Sequence, residues 1–383
     1  MAKLNSENIT VLSFIDWYRP GYKAGGTVTA FGNFVDYLEA EVTFKVISRN
    51  VDYMETIPYP DLAADLWLKK DKTYGYYISK SKLGLLIIKK IIKEVPHDYV
   101  YINGVFSFYF SILPLCFANA GKCILNPHGM LSKQAFSVKS FKKRLFLNCA
   151  NLLGLYKNIV FHVSNEAEAN EVRKRIKSFK AIKIANQFPR KLADVVLEKK
   201  AKSKPIRFVN VARISIEKGT LIMLNALTAI KQPLVLDIYG PVYDVIYWSK
   251  CKEVIKQLPG SIKVNYKGVV ESANIPKTLA SYDFFVLLSE GENFGHAILE
   301  GLSAGCPVII SNRTPWRNLE SKQIGWDVEV EDENAIVKTF QKAINMDQQS
   351  YQDWSLSALS YAKNFINNPE ILEQNKALFY DAT

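Results

Sequence analysis

The sequence is poor in the residues that build metal and disulfide sites. Its 383 residues include five cysteines and four histidines; no C-x-x-C spacing occurs and the histidines form no cluster. We therefore expect reduced thiols and no structural metal. D-x-D is also absent, so no aspartate pair is available in that pattern to hold a divalent cation on a phosphate ligand.

Long apolar runs and low-complexity tracts are missing too. The longest stretch without a charged residue, 99–121, contains Asn103, Gly104 and Pro114. It therefore predicts a buried strand followed by a helix rather than a membrane span. The first residues contain no apolar core of the signal-peptide kind. We expect a cytoplasmic protein.

Positive charge is concentrated in the first half of the chain. Residues 1–200 hold 30 lysines and arginines against 17 acidic residues, whereas residues 201–383 hold 19 against 20. No acidic residue lies between Asp98 and Glu166. The excess indicates an anionic partner, which could be a membrane surface, a phosphate-bearing acceptor or nucleic acid. A surface that merely aids solubility is the alternative.

Short apolar runs alternate with helical patterns, which predicts parallel sheets covered by helices. The strand candidates of the first half are Ile9–Ile15, Thr43–Ser48, Tyr99–Ile102, Cys123–Asn126, Ile159–Val163 and Ile182–Ala185. Those of the second half are Arg207–Val211, Leu234–Tyr239, Lys263–Tyr266, Phe284–Leu288 and Pro307–Ile310. This predicts an α/β fold of two Rossmann-like domains, with parallel sheets facing a central cleft.

The domain boundaries follow from composition. Residues 196–205 are charged, poor in large apolar side chains and end in proline, so they predict a linker. We expect an N-terminal domain over 1–195 and a C-terminal domain over 206–360. A last helical segment, 361–383, is expected to pack back on the N-terminal domain.

The strongest motif is the run from Ser289 to Val308, placed between a buried strand and a helix. Backbone N–H groups of Phe294 and Gly295 at the helix start suit a diphosphate, because unpaired donors and the helix dipole both favour an anion. Glu292 in the loop and Glu300 in the helix offer acceptors to sugar and ribose hydroxyls. Asn293 belongs to the same candidate donor-binding loop.

This motif resembles that of the retaining GT-B glycosyltransferases of family 4, the group 1 transferases. Their signature is two glutamates eight positions apart with Phe-Gly between them, found here as Glu292 and Glu300 around Phe294 and Gly295. The resemblance implies that Glu292 contacts the donor sugar and Glu300 the ribose of a nucleoside diphosphate sugar.

A second match lies upstream, where Arg213 follows a strand and Lys218-Gly219 precedes a helix. A guanidinium and an ammonium converging there would neutralise a diphosphate and stabilise it as a leaving group. The pair looks like the family's Arg and Lys-Gly elements. The candidate catalytic residues are His128, Glu292, Arg213 and Lys218.

Two elements of the first half complete the resemblance. The loop ending in Gly25 and Gly26 is not a G-x-G-x-x-G fingerprint, which argues against a dehydrogenase. It resembles the Gly-Gly loop that closes over the donor phosphates in the family. Pro127-His128-Gly129 follows a strand, and the resemblance implies that His128 meets the transferred sugar.

Basic and aromatic residues alternate over 132–147, with Lys139, Lys142, Lys143 and Arg144 among them. This segment predicts contact with an anionic membrane or with the acceptor. The helical run Leu83–Val95 carries lysines on one stripe, a pattern more typical of a core-packed helix.

Together these features predict a metal-independent hexosyltransferase without cofactors that uses a UDP- or GDP-sugar. The expected acceptor is a lipid-linked glycan of cell-surface polysaccharide, such as lipopolysaccharide or capsule, at the inner face of the plasma membrane. A sugar-nucleotide epimerase of the same fold is one alternative, and a basic nucleic-acid-binding protein is a weaker one. No recognised RNA-binding motif is present, so we expect no nucleic acid partner.

Overall fold

The computed structural model describes residues 9–119, 121–137, 140–191 and 201–380. They divide into two compact units, and each is described by itself. The first unit comprises the residues up to Phe188 together with those from Pro369 onward, and the second is Pro189–Asn368.

The first unit contains an eight-stranded sheet in the order β3-β4-β2-β1-β5-β6-β7-β8. Its strands are β1 Ile9–Phe14, β2 Val42–Arg49, β3 Trp67–Lys70, β4 Thr73–Ile78, β5 Tyr99–Asn103, β6 Cys123–Asn126, β7 Val160–Val163 and β8 Ala181–Ile184. Every pair is parallel except β3 and β4, and β1 is in register with β2 from Ile9 opposite Val42. β6 and β7 are buried along their whole length, which is why the central strands appear in the sequence as continuous apolar runs.

Helices cover this sheet. They are α1 Gly26–Leu38, α2 Leu85–Glu94, α3 Leu113–Phe117, α4 Lys133–Ser137, α5 Ser140–Leu152, α6 Glu166–Arg175 and α13 Pro369–Tyr380. The uncharged stretch 99–121 forms strand β5 and then a helix, as predicted, but the helix opens with a π-helical segment over Phe108–Ile112. The β3–β4 hairpin has no counterpart in the sequence prediction, because β3 lies at the sheet edge with β4 next to it, and both carry polar residues without a clear apolar run.

The second unit contains a six-stranded, all-parallel sheet in the order β11-β10-β9-β12-β13-β14. Its strands are β9 Ile206–Val211, β10 Leu234–Tyr239, β11 Ile262–Gly268, β12 Phe284–Leu287, β13 Val308–Ser311 and β14 Gly325–Val328. Its helices are α7 Thr220–Leu227, α8 Val245–Gln257, α9 Ile275–Leu279, α10 His296–Ser303, α11 Glu333–Asn345 and α12 Gln348–Ile366, with 3-10 turns at Ile216–Lys218 and Ser272–Asn274. Separate apolar clusters fill the two faces of the sheet.

Small residues set the packing of helix α10. Gly301 lies against strand β12, where an added Cβ would approach the Phe285 ring to 2.8 Å. Gly305, with φ of +68°, ends the helix: its N–H donates to Leu302 O at 3.0 Å, and Cys306 N–H donates to Gly301 O at 3.0 Å. This paired arrangement is a Schellman cap, which needs a left-handed residue at that position.

The boundaries between the units differ from the sequence prediction. Residues 196–200 of the predicted linker lie outside the described residues, and Ser203 N–H donates to Asp283 Oδ1 at 3.0 Å within the second unit. The predicted start of the last segment, residue 361, falls inside α12; the chain joins the first unit at Pro369. There α13 is held by Tyr99 Oη, which donates to Phe379 O at 2.5 Å, and by an ion pair of Lys376 with Glu41 at 2.6 Å.

Candidate functional site

In the second unit, the two predicted motifs meet where neighbouring strands β9 and β12 end. Glu290 N–H donates to Glu217 O at 2.9 Å and joins the two segments. Gly219 has φ of +67°, and a Cβ on it would lie 1.7 Å from Leu288 O. Only glycine permits this approach of two backbones. The sequence therefore brings the segments together through Gly219.

The approach places two predicted side chains in contact. Lys218 Nζ donates to Glu292 Oε1 at 2.7 Å, and these side chains are only 18% and 12% exposed. Arg213 Nη2 lies 3.5 Å from Glu217 Oε1, and its guanidinium lies 5.2 Å from the centre of the Tyr243 ring. Two cations thus flank the loop, each balanced by a carboxylate.

The start of helix α10 forms the other part of this site. Gly295 is its N-cap residue, in the left-handed region at φ of +83°, and no side chain caps the first turn. Trp316 Nε1 donates to Phe294 O at 2.5 Å, and the buried Phe294 ring packs on Trp316 and His296. Phe294 therefore anchors the loop, while the helix start keeps the polarity that favours an anion. Asn293 is half-buried beside them.

One turn into α10, Glu300 pairs with an arginine that belongs to none of the sequence motifs. Arg190 Nε lies 2.9 Å from Glu300 Oε1, and the side chains are 21% and 10% exposed. Burial raises the pKa of the Glu300 carboxyl, and Arg190 opposes that rise. Burial, assisted by the charge of Arg190, lowers the pKa of His296 to about 3. His296 is therefore neutral at physiological pH and faces the same helix side as Glu300, four positions on.

In the first unit, His128 occupies a strained turn that directly follows strand β6. Its φ is +49°, and Gly129 after it has φ of +73°. Glu168, buried at the start of α6, holds this turn because Oε1 accepts Gly129 N–H at 2.6 Å while Oε2 accepts Ser164 N–H at 2.8 Å. A non-glycine residue in this region costs about 1 kcal/mol and persists where neighbours fix it.

The hydrogen bonds around His128 define its tautomer. Phe14 O can only accept, so Asn103 donates its amide to it at 3.1 Å and turns Oδ1 toward His128. His128 Nε2 lies 2.8 Å from that oxygen and is therefore the donor. A neutral His128 ring then carries its lone pair on Nδ1, which is buried.

A buried network lies behind this turn. His128 N–H donates to Asn126 Oδ1 at 3.0 Å, and Asn126 Nδ2 lies 3.2 Å from both Tyr101 Oη and His162 Nδ1. His162 Nε2 faces Ala185 O at 3.2 Å and donates, so Nδ1 accepts from Tyr101 Oη at 2.6 Å. Burial lowers the pKa of His162 to about 4. The network is complete only while His162 is neutral.

The two predicted glycines of the first unit differ in what they do. Gly25 precedes helix α1 with φ of +78° and ψ of −134°, a conformation that favours glycine. Gly26 begins the helix, and an added Cβ there would meet nothing within 4 Å. Space above Gly26 is therefore open to a ligand.

The predicted basic residues are only partly available. Lys139 lies outside the described residues. Lys142 and Arg144 are exposed on helix α5, whereas Lys143 donates to Ala135 O and lies 5.4 Å from the centre of the Phe106 ring. Lys143 thus packs against its own unit.

Within the described ranges, no group of three His, Cys, Asp or Glu side chains is arranged to hold a metal ion. No helix in the described part of the chain has both the length and the apolarity to cross a bilayer.

The sequence motifs predict the residues of the candidate site but not their partners. Arg190, Asn103 and Glu168 have no motif of their own, and they are brought to Glu300, His128 and Gly129 by folding. His296 stands inside the strongest motif, and its spacing of four from Glu300 on a predicted helix is the signal that identifies it.

Residues 195–359 match the family model described as glycosyl transferases group 1, and this range contains Arg213, Lys218, Glu292 and Glu300. None of the curated proteins matches the chain.

Solved structures resemble the whole chain. HepE from Anabaena, in complex with UDP and glucose, has a TM-score of 0.71 and 16% identity over 97% of this chain and 100% of that one. A sucrose-phosphate synthase from Thermosynechococcus elongatus has a TM-score of 0.69 and 16% identity over 98% and 99%. WaaG, a glycosyltransferase involved in lipopolysaccharide biosynthesis, has a TM-score of 0.67 and 13% identity over 97% and 100%. The fold is that of the GT-B glycosyltransferases, and the fold class predicted from the sequence is confirmed.

Proposed function

We propose that the chain is a retaining, metal-independent glycosyltransferase that moves a sugar from a nucleoside diphosphate sugar to a hydroxyl of a glycan acceptor. The observation that carries the proposal is the cluster in the second unit, where Lys218 contacts Glu292 beside the uncapped start of α10. This cluster lies within the group 1 glycosyl transferase match.

The donor diphosphate is assigned to Lys218, Arg213 and the start of α10. Both cations are already balanced by carboxylates, so the phosphates replace Glu292 and Glu217 as their partners when the donor binds. The exchange keeps the cations paired in both states. Cations and backbone donors fixed before the reaction stabilise the charge that develops on the leaving group.

Glu292, released from Lys218, accepts hydrogen bonds from hydroxyls of the transferred sugar. In the reaction the bond from the anomeric carbon to the phosphate oxygen breaks, and the electron pair stays on the phosphate. The acceptor oxygen bonds to the same face of the anomeric carbon, and its proton passes to the leaving phosphate oxygen. This route needs no protein nucleophile.

Glu300 is assigned to the ribose hydroxyls, with Arg190 holding its carboxylate in place at 2.9 Å. The pKa of the carboxyl is raised by burial, and Arg190 opposes the rise. The low pKa of His296, about 3, keeps that ring from adding a positive charge that would compete with Arg190 for the carboxylate.

The first unit supplies the residues assigned to the sugar and to loop closure. His128 is assigned to the transferred sugar, through the side chain or the backbone of its strained turn, and its Nε2–H donated to Asn103 holds the ring in place. The open space above Gly26 suits the approach of the donor phosphates to the start of α1.

UDP is the first donor base to test, because HepE was solved with UDP and glucose; GDP is the second. For the acceptor we propose a lipid-linked glycan in cell-surface polysaccharide biosynthesis. The likeness to WaaG, described as involved in lipopolysaccharide biosynthesis, supports that choice.

For the site of action we propose the cytosolic face of the membrane. Helix α5 presents Phe141, Leu152 and neighbouring Leu153 with 77%, 88% and 81% of their surface exposed, next to exposed Lys142 and Arg144. Apolar side chains flanked by basic ones suit an anionic bilayer, where each basic residue contributes about 1 kcal/mol. Co-sedimentation with vesicles of phosphatidylglycerol should be lost in Phe141→Ser/Leu152→Ser; equal sedimentation of this variant would exclude the α5 surface.

The decisive test of the donor site is thermal stabilisation by UDP-, GDP-, ADP- and CDP-sugars without added metal. A ligand at about 100 times its Kd stabilises by about 2.7 kcal/mol, which corresponds to about 5–10 °C in Tm for a unit of this size. We expect that shift with one nucleotide, and its loss in Glu300→Ala and Arg213→Ala.

The matched control is Glu253→Ala, which removes an exposed carboxylate from helix α8. It should keep the full shift. No shift with any sugar nucleotide, or a shift that survives in Glu300→Ala and Arg213→Ala, would contradict the proposal.

A further inference from the structure

We propose that a cavity within the first unit binds neutral sugar units of the acceptor glycan; the assignment to the acceptor rests on the proposed function. The cavity has a volume of about 750 Å³ and lies between helix α1, strand β4 and the segment that follows β2. Its volume is within the range of about 300–1,000 Å³ typical of small-molecule sites. Its lining includes Tyr18, Tyr22, Tyr59, Tyr77, Glu39 and Asp61.

The tyrosine rings form walls that the fold holds in place. Tyr77 Oη donates to Arg19 O at 2.5 Å, and Tyr59 Oη donates to Tyr18 O at 3.4 Å. Tyr18 and Tyr77 are largely buried, while Tyr22 is exposed at the rim. Rigid aromatic faces with polar edges suit sugars, whose C–H faces stack and whose hydroxyls need partners.

Strand β4 forms part of the cavity wall. Thr73, Gly75 and Tyr77 alternate along the strand and therefore point to the same face. All three line the cavity. Since Gly75 has no side chain, the Tyr77 ring lies over it, where an added Cβ would approach the ring to 2.8 Å.

Charge distinguishes this cavity from the rest of the basic first unit. Six acidic and three basic residues line it, and two of the bases are already paired, Arg19 with Asp36 at 2.6 Å and Lys23 with Glu55. A phosphate would face this excess of carboxylates and be repelled. Carboxylates accept hydrogen bonds from hydroxyl groups, so a neutral saccharide fits the charge and an anionic headgroup does not.

Not every carboxylate is available for a ligand. Asp52 accepts the backbone N–H groups of Tyr22, Lys23 and Tyr53 at 3.0, 3.2 and 2.7 Å, so it shapes the loop. Half-buried Glu39, which follows α1, and exposed Asp61 both line the cavity. We assign these two carboxylates to sugar hydroxyls.

The cavity adjoins the loop assigned to the donor. Arg19, Tyr22 and Lys23 line it, and the same loop continues directly to Gly25 and Gly26 at the start of α1. A saccharide in the cavity therefore lies beside the loop that is proposed to approach the donor phosphates. This continuity favours the acceptor over an unrelated carbohydrate as the occupant.

The test is saturation-transfer NMR on the full chain with the methyl glycosides of glucose, galactose, mannose and N-acetylglucosamine, and with inorganic phosphate as the anionic probe. We expect transfer to at least one glycoside and no competition from phosphate. The Kd for that glycoside should rise at least tenfold in Tyr59→Ala and in Asp61→Asn. Tyr74→Ala, on the other face of β4, and Glu94→Gln, at an exposed position of α2, are the matched controls and should bind normally.

The proposal is overturned if no glycoside receives saturation, if phosphate competes with it, or if the cavity variants bind as well as the controls. Thermal shift with sugar nucleotides on the same protein separates the two proposals. Nucleotide binding without glycoside binding removes the cavity assignment alone. Glycoside binding without nucleotide binding leaves a carbohydrate site and removes the transferase.

Discussion

The coupling free energy between Lys218 and Glu292 provides a quantitative test of the candidate donor site. At 2.7 Å, two unit charges attract by about 6 kcal/mol at an effective dielectric constant of about 20. Removing both largely buried groups from water offsets most of that attraction. We therefore expect a coupling free energy of about 1–3 kcal/mol, the range for groups in direct contact.

The assay is a double-mutant cycle with Lys218→Met, Glu292→Gln and the double variant, measured by denaturant unfolding. Tryptophan fluorescence reports chiefly on the second unit, because four of the six tryptophans lie there. The control cycle uses Lys256 and Glu253, a pair at 2.8 Å whose side chains are 70% and 64% exposed. This surface pair should give no more than about 1 kcal/mol.

Donor binding supplies a second measurement on the same variants. If the diphosphate takes Lys218 and the sugar takes Glu292, the coupling should fall when the donor saturates the protein. A coupling equal to that of the surface pair without donor would refute the contact. A coupling unchanged by a donor that demonstrably binds would refute the exchange of partners.

Three further results are expected. Burial of His162 should make the free energy of unfolding fall by about 1.4 kcal/mol per pH unit between pH 6.5 and about 4, because the unfolded chain takes up a proton that the buried ring does not bind. In urea unfolding, His162→Asn should show a shallower dependence of this free energy on pH than the wild type. An equal dependence would contradict the buried network. Gly219→Ala should lower the free energy of unfolding by about 3 kcal/mol or more, the upper range for single substitutions, since its Cβ overlaps a backbone carbonyl. Gly26→Ala should keep the wild-type Tm in calorimetry, because its Cβ meets nothing within 4 Å. Similar Tm values for both variants would be inconsistent with the close approach of the two backbones at Gly219. Asn103→Leu should lower kcat about tenfold, which is about 1.4 kcal/mol in activation free energy, with little change in donor KM. The reason is that His128 loses the acceptor that fixes its proton on Nε2. Unchanged initial rates would show that this tautomer does not matter.

Much of the second unit is predictable because its signals are local. The strand Leu234–Tyr239 is predicted to the residue, because a short apolar run and a following glycine mark it. The predicted strand Cys123–Asn126 in the first unit is also observed without change. Central parallel strands are buried on both faces, so their composition alone identifies them.

Edge elements escape sequence-based prediction for the opposite reason. The β3–β4 hairpin and strand β14 border their sheets, and their residues are partly polar, so no apolar run marks them. The hairpin contributes to the cavity assigned to the saccharide. The sequence therefore points to basic residues for acceptor contacts and contains no sign of an acidic, tyrosine-lined cavity.

The amino-acid sequence by itself determined the alternation of strands and helices, the excess charge of the first half and the spacing of Glu292, Phe294, Gly295 and Glu300. These are properties of neighbouring residues. Only the tertiary structure decided which charges meet. Lys218 lies 74 positions from Glu292, and this pair forms because parallel strands β9 and β12 bring distant segments to the same sheet edge. Arg190 lies 110 positions from Glu300 and reaches it from the segment that precedes β9.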